Sequence, residues 1–349
     1  VLVDLPRINY DANGENGALL LEPSRANLIT HSEVFDIDTA FIPSGRPSVE
    51  KNVIISPEGL QNATRLSYGV GNSLRNGPEF TFANAYTYSI FVKKDVGRYV
   101  TIYAAFFTTS AAIGFDLDEG TCQAGGVIEP YGNDWYRISV SKSVSGDADK
   151  SGYFYLYSTD ALGSTISKNG NKLYVWGNQI EEGNYVSSYI PTMGTSETRA
   201  ADSCSVTGAS DVIGQTEGTL FVEAETLENG ADCRITISDN TINNRVSIEW
   251  DANADTIKGF IGVGGNLETT SYDQTNRNKI AIVYNSSDAR LFINGTKLQT
   301  DTSVPSLSGM DRIEFSNYGA ALPFVGKVYK MYISEEKLTD AEAITLTTL

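Results

Sequence analysis

Short segments that alternate apolar and polar residues recur along nearly the whole chain. A period of two over so many short runs leaves antiparallel sheet as the natural fold. In residues 85–93 (AYTYSIFVK), Tyr86, Tyr88, Ile90 and Val92 share one face, and Thr87, Ser89, Phe91 and Lys93 share the other. Along the next run, Val100, Ile102 and Ala104 oppose Tyr99, Thr101 and Tyr103. Residues 135–140, 152–158 and 172–180 repeat the pattern, as do 219–225, 234–238, 245–250, 256–263, 279–284, 290–293 and 324–333. The 32 glycines supply turns between these runs, and the 19 tyrosines suit half-buried pleated faces. Asn294-Gly295, set between alternating apolar residues in RLFINGTKL, predicts a type I′ hairpin, because both central residues of that turn need positive φ. The chain is therefore expected to be all-β: two antiparallel β-sandwich (jelly-roll) domains in tandem, with a short C-terminal helix. Thr339 and Glu342 predict that helix as a capping box, with Leu338 and Ala343 as a hydrophobic staple.

The boundary between the two sandwiches is placed in residues 179–202, QIEEGNYVSSYIPTMGTSETRAAD. Pro191 and Gly194 stop regular structure there, and the polar stretch that follows lacks apolar periodicity. The expected organisation is an entry segment over 1–27, a first sandwich over 28–191, a linker over 192–204 and a second sandwich over 205–349. Pro23 is expected to keep the apolar run 18–21 from being a central strand, and the entry segment to pack along the first domain or a neighbouring subunit. The start at Val1, without Met, suggests a processed chain or part of a longer polypeptide.

A formal charge of −17 argues against nucleic-acid binding, since phosphates are repelled. No apolar run is long enough for membrane insertion. The single histidine, His31, and three scattered cysteines offer neither a zinc site nor a disulfide framework. Acidic turns leave calcium open: Asp116 and Asp118 in FDLDEGT, and Asp251 with Asp255, are the candidate ligands. The twelfth position from Asp116 is Val127, so this is no EF-hand, and an acidic turn explains the spacing as well.

Residues 19–36, LLLEPSRANLITHSEVFD, resemble the LLLEP-x-R-x-NL…SE-x-F signature of a family of tailed-phage and prophage virion structural proteins. The same family carries the Q-(I/L/V)-E-x-G…SYIPT…TRAAD stretch seen at 179–202, and Ala26 stands where Thr is commoner. The resemblance implies a carbohydrate-binding-module-like first domain. GTLFVEAE, NRVSIEWD, KIAIVYNSSDARLFINGTKL and FVGKVYKMYIS are similar to concanavalin A-like and laminin G-like lectin domains. The implied setting is the exterior of a phage particle, as a fibre, spike or decoration protein. The implied partners are host surface polysaccharide, other virion proteins and further copies of the chain, a trimer being favoured.

Adhesion or glycan binding is the function this reading favours. Tyr153, Tyr155 and Tyr157 line one face of a strand and Trp176 projects from another, and flat aromatic faces stack on sugars. The same rows would also serve as core or as a subunit interface. A polysaccharide-cleaving enzyme is the alternative, and it would draw on Glu223 with Glu225 or Glu249 with Asp251, each pair on one strand face. A decoration protein without ligand is the third reading.

Overall fold

The computed structural model describes residues 6–10, 14–36, 45–80, 85–105, 110–142, 152–252, 255–268 and 271–349, with the backbone alone for 76–80. Among the described residues the fold is all-β apart from a 3-10 turn, Tyr318–Ala320, and one helix, Asp340–Thr347. It forms two compact units, and one is inserted into the sequence of the other. Val1–Pro23 and Ala201–Leu349 make a framework unit, and Ser24–Ala200 makes an inserted unit.

The framework unit is a sandwich. One sheet orders its strands Ile8–Asn9, Ala18–Leu21, Gly326–Ser334, Gly218–Thr226, Asn278–Tyr284, Ala289–Ile293 and Thr296–Asp301. The facing sheet orders Ser205–Thr207, Arg312–Glu314, Cys233–Ser238, Arg245–Asp251, Thr256–Ile261 and Gly265–Leu267. Alternate residues of both, among them Leu220, Val222, Ile235, Ile248, Trp250, Ile280 and Ile282, fill the space between them. Each large side chain so buried stabilises by about 1.5–3 kcal/mol. The helix covers the outer face of the first sheet, where Ala343 packs on Phe221, Val283 and Phe292. Its capping box forms as expected: the Thr339 side chain accepts from the Glu342 N–H, and the Glu342 carboxylate accepts from the Thr339 N–H at 2.8 Å.

Asn294 and Gly295 take φ 48° and 77° between paired Ile293 and Thr296, the backbone of a type I′ turn. A Cβ on Gly295 would meet Thr348 Oγ1 at 3.0 Å. Gly295→Val should therefore destabilise the framework by about 1–3 kcal/mol. An unchanged midpoint in chemical denaturation would contradict the turn.

The N-terminal segment does not run along the first domain. Leu19, Leu20 and Leu21 pair with Val328, Lys327 and Gly326, and Leu21 enters the framework core. Ala18–Leu21 is an interior strand, because Pro23 falls beyond its end and removes no ladder bond. The stretch 192–204 is not a free linker either. Glu197–Arg199 pairs with Arg25–Asn27 in the inserted unit. In the framework unit, Glu22 and Asp202 tie the two crossing segments: Glu22 N–H donates to the Asp202 carboxylate Oδ2 at 2.7 Å, and Asp202 N–H to Glu22 O at 2.9 Å. Arg7 forms ion pairs with both carboxylates. Polar character here marks satisfied backbone groups as well as exposure. Cleavage within 192–203 should leave the two fragments associated on native sizing, since the strand Ala18–Leu21 still pairs with Gly326–Ser334. Separation into two independent fragments would contradict the insertion.

The inserted unit is a second sandwich. Its five-stranded sheet orders Thr121–Cys122, Ala111–Asp116, Tyr99–Ala105, Gly152–Thr159 and Leu74–Phe80. Its six-stranded sheet orders Gly126–Pro130, Trp135–Lys142, Tyr86–Val96, Lys172–Glu182, Ala63–Ser67 and Ser48–Ile54. Val100, Ile102, Ala104, Phe154 and Leu156 face Tyr88, Ile90, Val92, Ile138 and Val175 across the core.

Candidate functional site

The site lies on the outer face of the five-stranded sheet of the inserted unit. Along Gly152–Thr159 burial alternates residue by residue: Phe154 and Leu156 are fully buried, while Tyr153, Tyr155 and Tyr157 are half-buried on the opposite face. The pleat forces this division, and the aliphatic and phenyl row takes the core. Tyr155 lies opposite Tyr103 on one neighbouring strand and opposite Arg75 on the other. Ring centroids step 6.4 Å from Tyr153 to Tyr155, 6.4 Å from Tyr155 to Tyr157, and 6.4 Å sideways from Tyr155 to Tyr103. The Arg75 guanidinium carbon sits 3.7 Å from the Tyr153 ring centroid, a close cation–π contact.

A turn closes one end of this row. Thr101 is fully buried on the same face, and a Cβ on neighbouring Gly114 would lie 2.2 Å from the Gly163 nitrogen. Glycine at 114 thus lets the turn after Thr159 lie directly on the sheet. Burial pushes the Tyr157 hydroxyl above the usual phenol range, so it stays a protonated donor at neutral pH. The result is a half-buried strip of rings with phenol hydroxyls and the Arg75 guanidinium at its border. Such a strip offers apolar faces for stacking and polar groups for orientation.

Three of the four expected aromatic residues therefore share this strip, and Trp176 does not. Trp176 belongs to the other sheet and is 4% exposed. It packs among Ala63, Phe91 and Trp135, with Tyr189 laid on it at 4.7 Å between centroids. A bulge explains its setting: the ladder shifts between Trp176 and Gln179, with Gly177 at φ 60°. The segment after Glu182 folds over this outer face, where Arg137 Nη1 donates to Ser187 O at 2.7 Å. Beside Tyr189, the Glu33 carboxyl is pushed up by burial and by the charge of Glu58. Arg75 was the residue that alternation missed, because LRNGPEF reads as a turn at Asn76-Gly77-Pro78 although it forms the strand Leu74–Phe80.

Three of the four expected calcium ligands are held by cations. Asp116 receives Arg98 Nε at 2.8 Å and Nη2 at 2.6 Å, and this pairing, against some desolvation, holds its carboxyl below the usual range. Asp118 pairs with Lys94. Asp251 pairs with Lys258 at 2.6 Å. Asp255 takes φ 48° in the turn before Thr256–Ile261, and its carbonyl accepts from Tyr272 N–H at 2.7 Å. Among the described residues no three His, Cys, Asp or Glu side chains converge as a metal site. The cations Arg98, in a turn, and Lys94 and Lys258, on strands, are what a reading of the acids alone overlooked.

The carboxylates weighed for hydrolysis are likewise engaged. Glu223 pairs with Arg277 at 2.8 Å, Glu225 with Lys327 at 3.0 Å, and Glu249 with Arg234. Burial pushes the Glu249 carboxyl up and Arg234 pulls it back. The framework also has a groove of about 600 Å³ beside the helix, lined by Tyr332, Leu338, Ala341 and Leu346, with Lys330 and Glu342 at its polar margin. Its lining is mainly aliphatic, with one ring, and suits sugar stacking less well than the tyrosine strip. No helix among the described residues is long and apolar enough to cross a membrane.

A scan against models of protein families finds no match, and a search of curated proteins finds none. Among solved structures, the chain is similar to the CBM40 domain of the Ruminococcus gnavus IT-sialidase, with 17% identity, 38% of this chain and 84% of that one covered, and a TM-score of 0.33. A SAP-like pentraxin from Limulus polyphemus shows 11% identity over 38% of this chain and 70% of its own, at a TM-score of 0.32. Domains LG4-5 of the mouse laminin alpha1 chain show 11% identity over 75% and 87%, at 0.29. At these scores the likenesses assign no family, and the all-β fold stands on the chain's own strand order.

Proposed function

We propose that the inserted sandwich is a glycan-binding module and that the chain is an adhesion component of a tailed-phage virion, meeting polysaccharide at the bacterial surface. The observation that carries the glycan reading is the half-exposed row Tyr103, Tyr153, Tyr155 and Tyr157 on the outside of a sheet whose inner face is already filled by Phe154 and Leu156. A sheet needs no such outward row for its own core. The row is also pre-organised, since two-torsion aromatic side chains on regular strands lose little freedom on binding.

The virion setting rests on the motifs at 19–36 and 179–202. Assembly of identical chains, three-fold in a fibre, would multiply weak contacts with a repeating polysaccharide into firm adhesion. The enzyme reading gains nothing from the four carboxylates weighed for it, each of which faces a cation. The test is a panel of bacterial surface glycans, titrated with the intact chain and with Tyr155→Ala. Binding by the intact chain that falls by about tenfold or more in the variant supports the platform. Binding that is equal in both moves the site elsewhere.

A further inference from the structure

Among the described residues, Arg75 has no counter-charge. Its Nε is buried without a hydrogen-bond partner, and among the described residues no ion pair or hydrogen bond ties its guanidinium. This is unusual in a chain with 43 acidic and 26 basic residues, where carboxylates are in surplus. The other guanidinium beside this tyrosine face shows the contrast. Arg98 lies 5.2 Å from the Tyr99 ring centroid and is neutralised by Asp116 through a two-pronged contact. Arg75 lies closer to its ring and has no such partner among the described residues.

We propose that the tyrosine strip takes an anionic glycan, and that the Arg75 guanidinium receives its carboxylate, sulfate or phosphate. The inference rests on the strip being the glycan site. A planar fork of N–H donors matches an oxyanion in two-point contact. Stacking on Tyr153 restrains the fork at the border of the strip, so little further freedom is lost on binding. Arg75 and Tyr153 flank the same stretch of sheet, so one sugar ring stacked on Tyr155 would place an acidic substituent within reach of Arg75. The net charge of −17 does not oppose this at close range. Repulsion from carboxylates farther away is largely screened beyond about 10 Å at 0.1 M salt, whereas a direct contact is screened much less.

The test uses matched pairs on the full chain: oligogalacturonate and its methyl ester, sialyllactose and lactose, and a sulfated galactan oligomer with its unsulfated form. The expected result is that at least one acidic member binds about tenfold more tightly than its neutral partner. Arg75→Ala should erase that gap while leaving neutral affinity and the melting temperature in place. Arg75→Lys should restore part of it, and Tyr155→Ala should weaken both members. The pairs also separate carboxylate from sulfate as the recognised group. Equal affinity for acidic and neutral partners in the intact chain, or a gap that survives Arg75→Ala, overturns the anion reading while leaving the strip as a site for neutral sugars. Failure of every member to bind, or full retention in Tyr155→Ala, overturns the strip itself.

Discussion

Phe154→Ala should cost the inserted sandwich about 3–5 kcal/mol, and Tyr155→Ala, one residue along, should cost far less while removing glycan binding. Phe154 is fully buried and stacks on Tyr88 at 5.3 Å between centroids. Its truncation opens a cavity between two sheets that cannot collapse onto it. Tyr155 is half-buried on the outer face, where its neighbours are Tyr103, Tyr153, Tyr157 and Arg75. Loss of its ring removes stacking partners and opens no interior void. Chemical denaturation and glycan titration of the two variants should therefore separate completely: one loses stability, the other affinity. Equal destabilisation by both would mean that the outer row is covered in the native protein.

Asn27→Ala should also destabilise the inserted unit by about 3–5 kcal/mol, a large effect for a short polar side chain. Asn27 is fully buried. Its Nδ2 donates to Asn178 O at 3.1 Å and to Ile190 O at 2.8 Å. Its Oδ1 accepts from Ile29 N–H at 3.1 Å and Ile180 N–H at 3.2 Å. Alanine would leave two carbonyls and two amides without this partner, each buried unsatisfied group costing about 1–3 kcal/mol unless water enters. The network continues through Gln179, whose Oε1 accepts from Ile190 N–H at 2.8 Å and whose Nε2 donates to Glu181 at 2.8 Å. Glu181 in turn accepts from Ser187 N–H and Oγ–H at 2.9 and 2.6 Å. Thermal or chemical unfolding of Asn27→Ala checks the estimate, and a loss under about 1 kcal/mol would show that these groups are satisfied otherwise.

These bonds also give the two family-like motifs a physical reading. Asn27, Ser32, Gln179, Glu181 and Thr192 are placed by them at buried backbone groups, where Thr192 Oγ1 donates to Ile29 O at 2.6 Å and accepts from Ser32 N–H at 3.0 Å. The motif residues hold the fold together at the start and end of the inserted unit. The tyrosine strip lies between the motifs in sequence.

Alternation made most strands legible, because the period of two is local and the buried row of each strand is apolar. Phe154 and Leu156 against Tyr153, Tyr155 and Tyr157 was readable for that reason. The insertion was not, since Leu19 pairs with Val328 more than three hundred residues away and no local pattern carries such a pairing. Trp176 misled because alternation gives the side of a strand but not what covers that side. Its outer face is sealed by Tyr189, which the sequence places in a segment broken by Gly183 and Pro191. Asp116 and Asp118 misled because their partners, Arg98 and Lys94, come from a neighbouring turn and strand.

Tyrosine-ring NMR of the intact chain, titrated with a glycan that it binds, is the sharpest test of the tyrosine strip as the binding surface. Ring signals of Tyr103, Tyr153, Tyr155 and Tyr157 should shift together and saturate with the binding curve, while those of buried Tyr88 and Tyr284 stay in place. Shifts confined to other tyrosines, Tyr332 beside the framework groove above all, would contradict it.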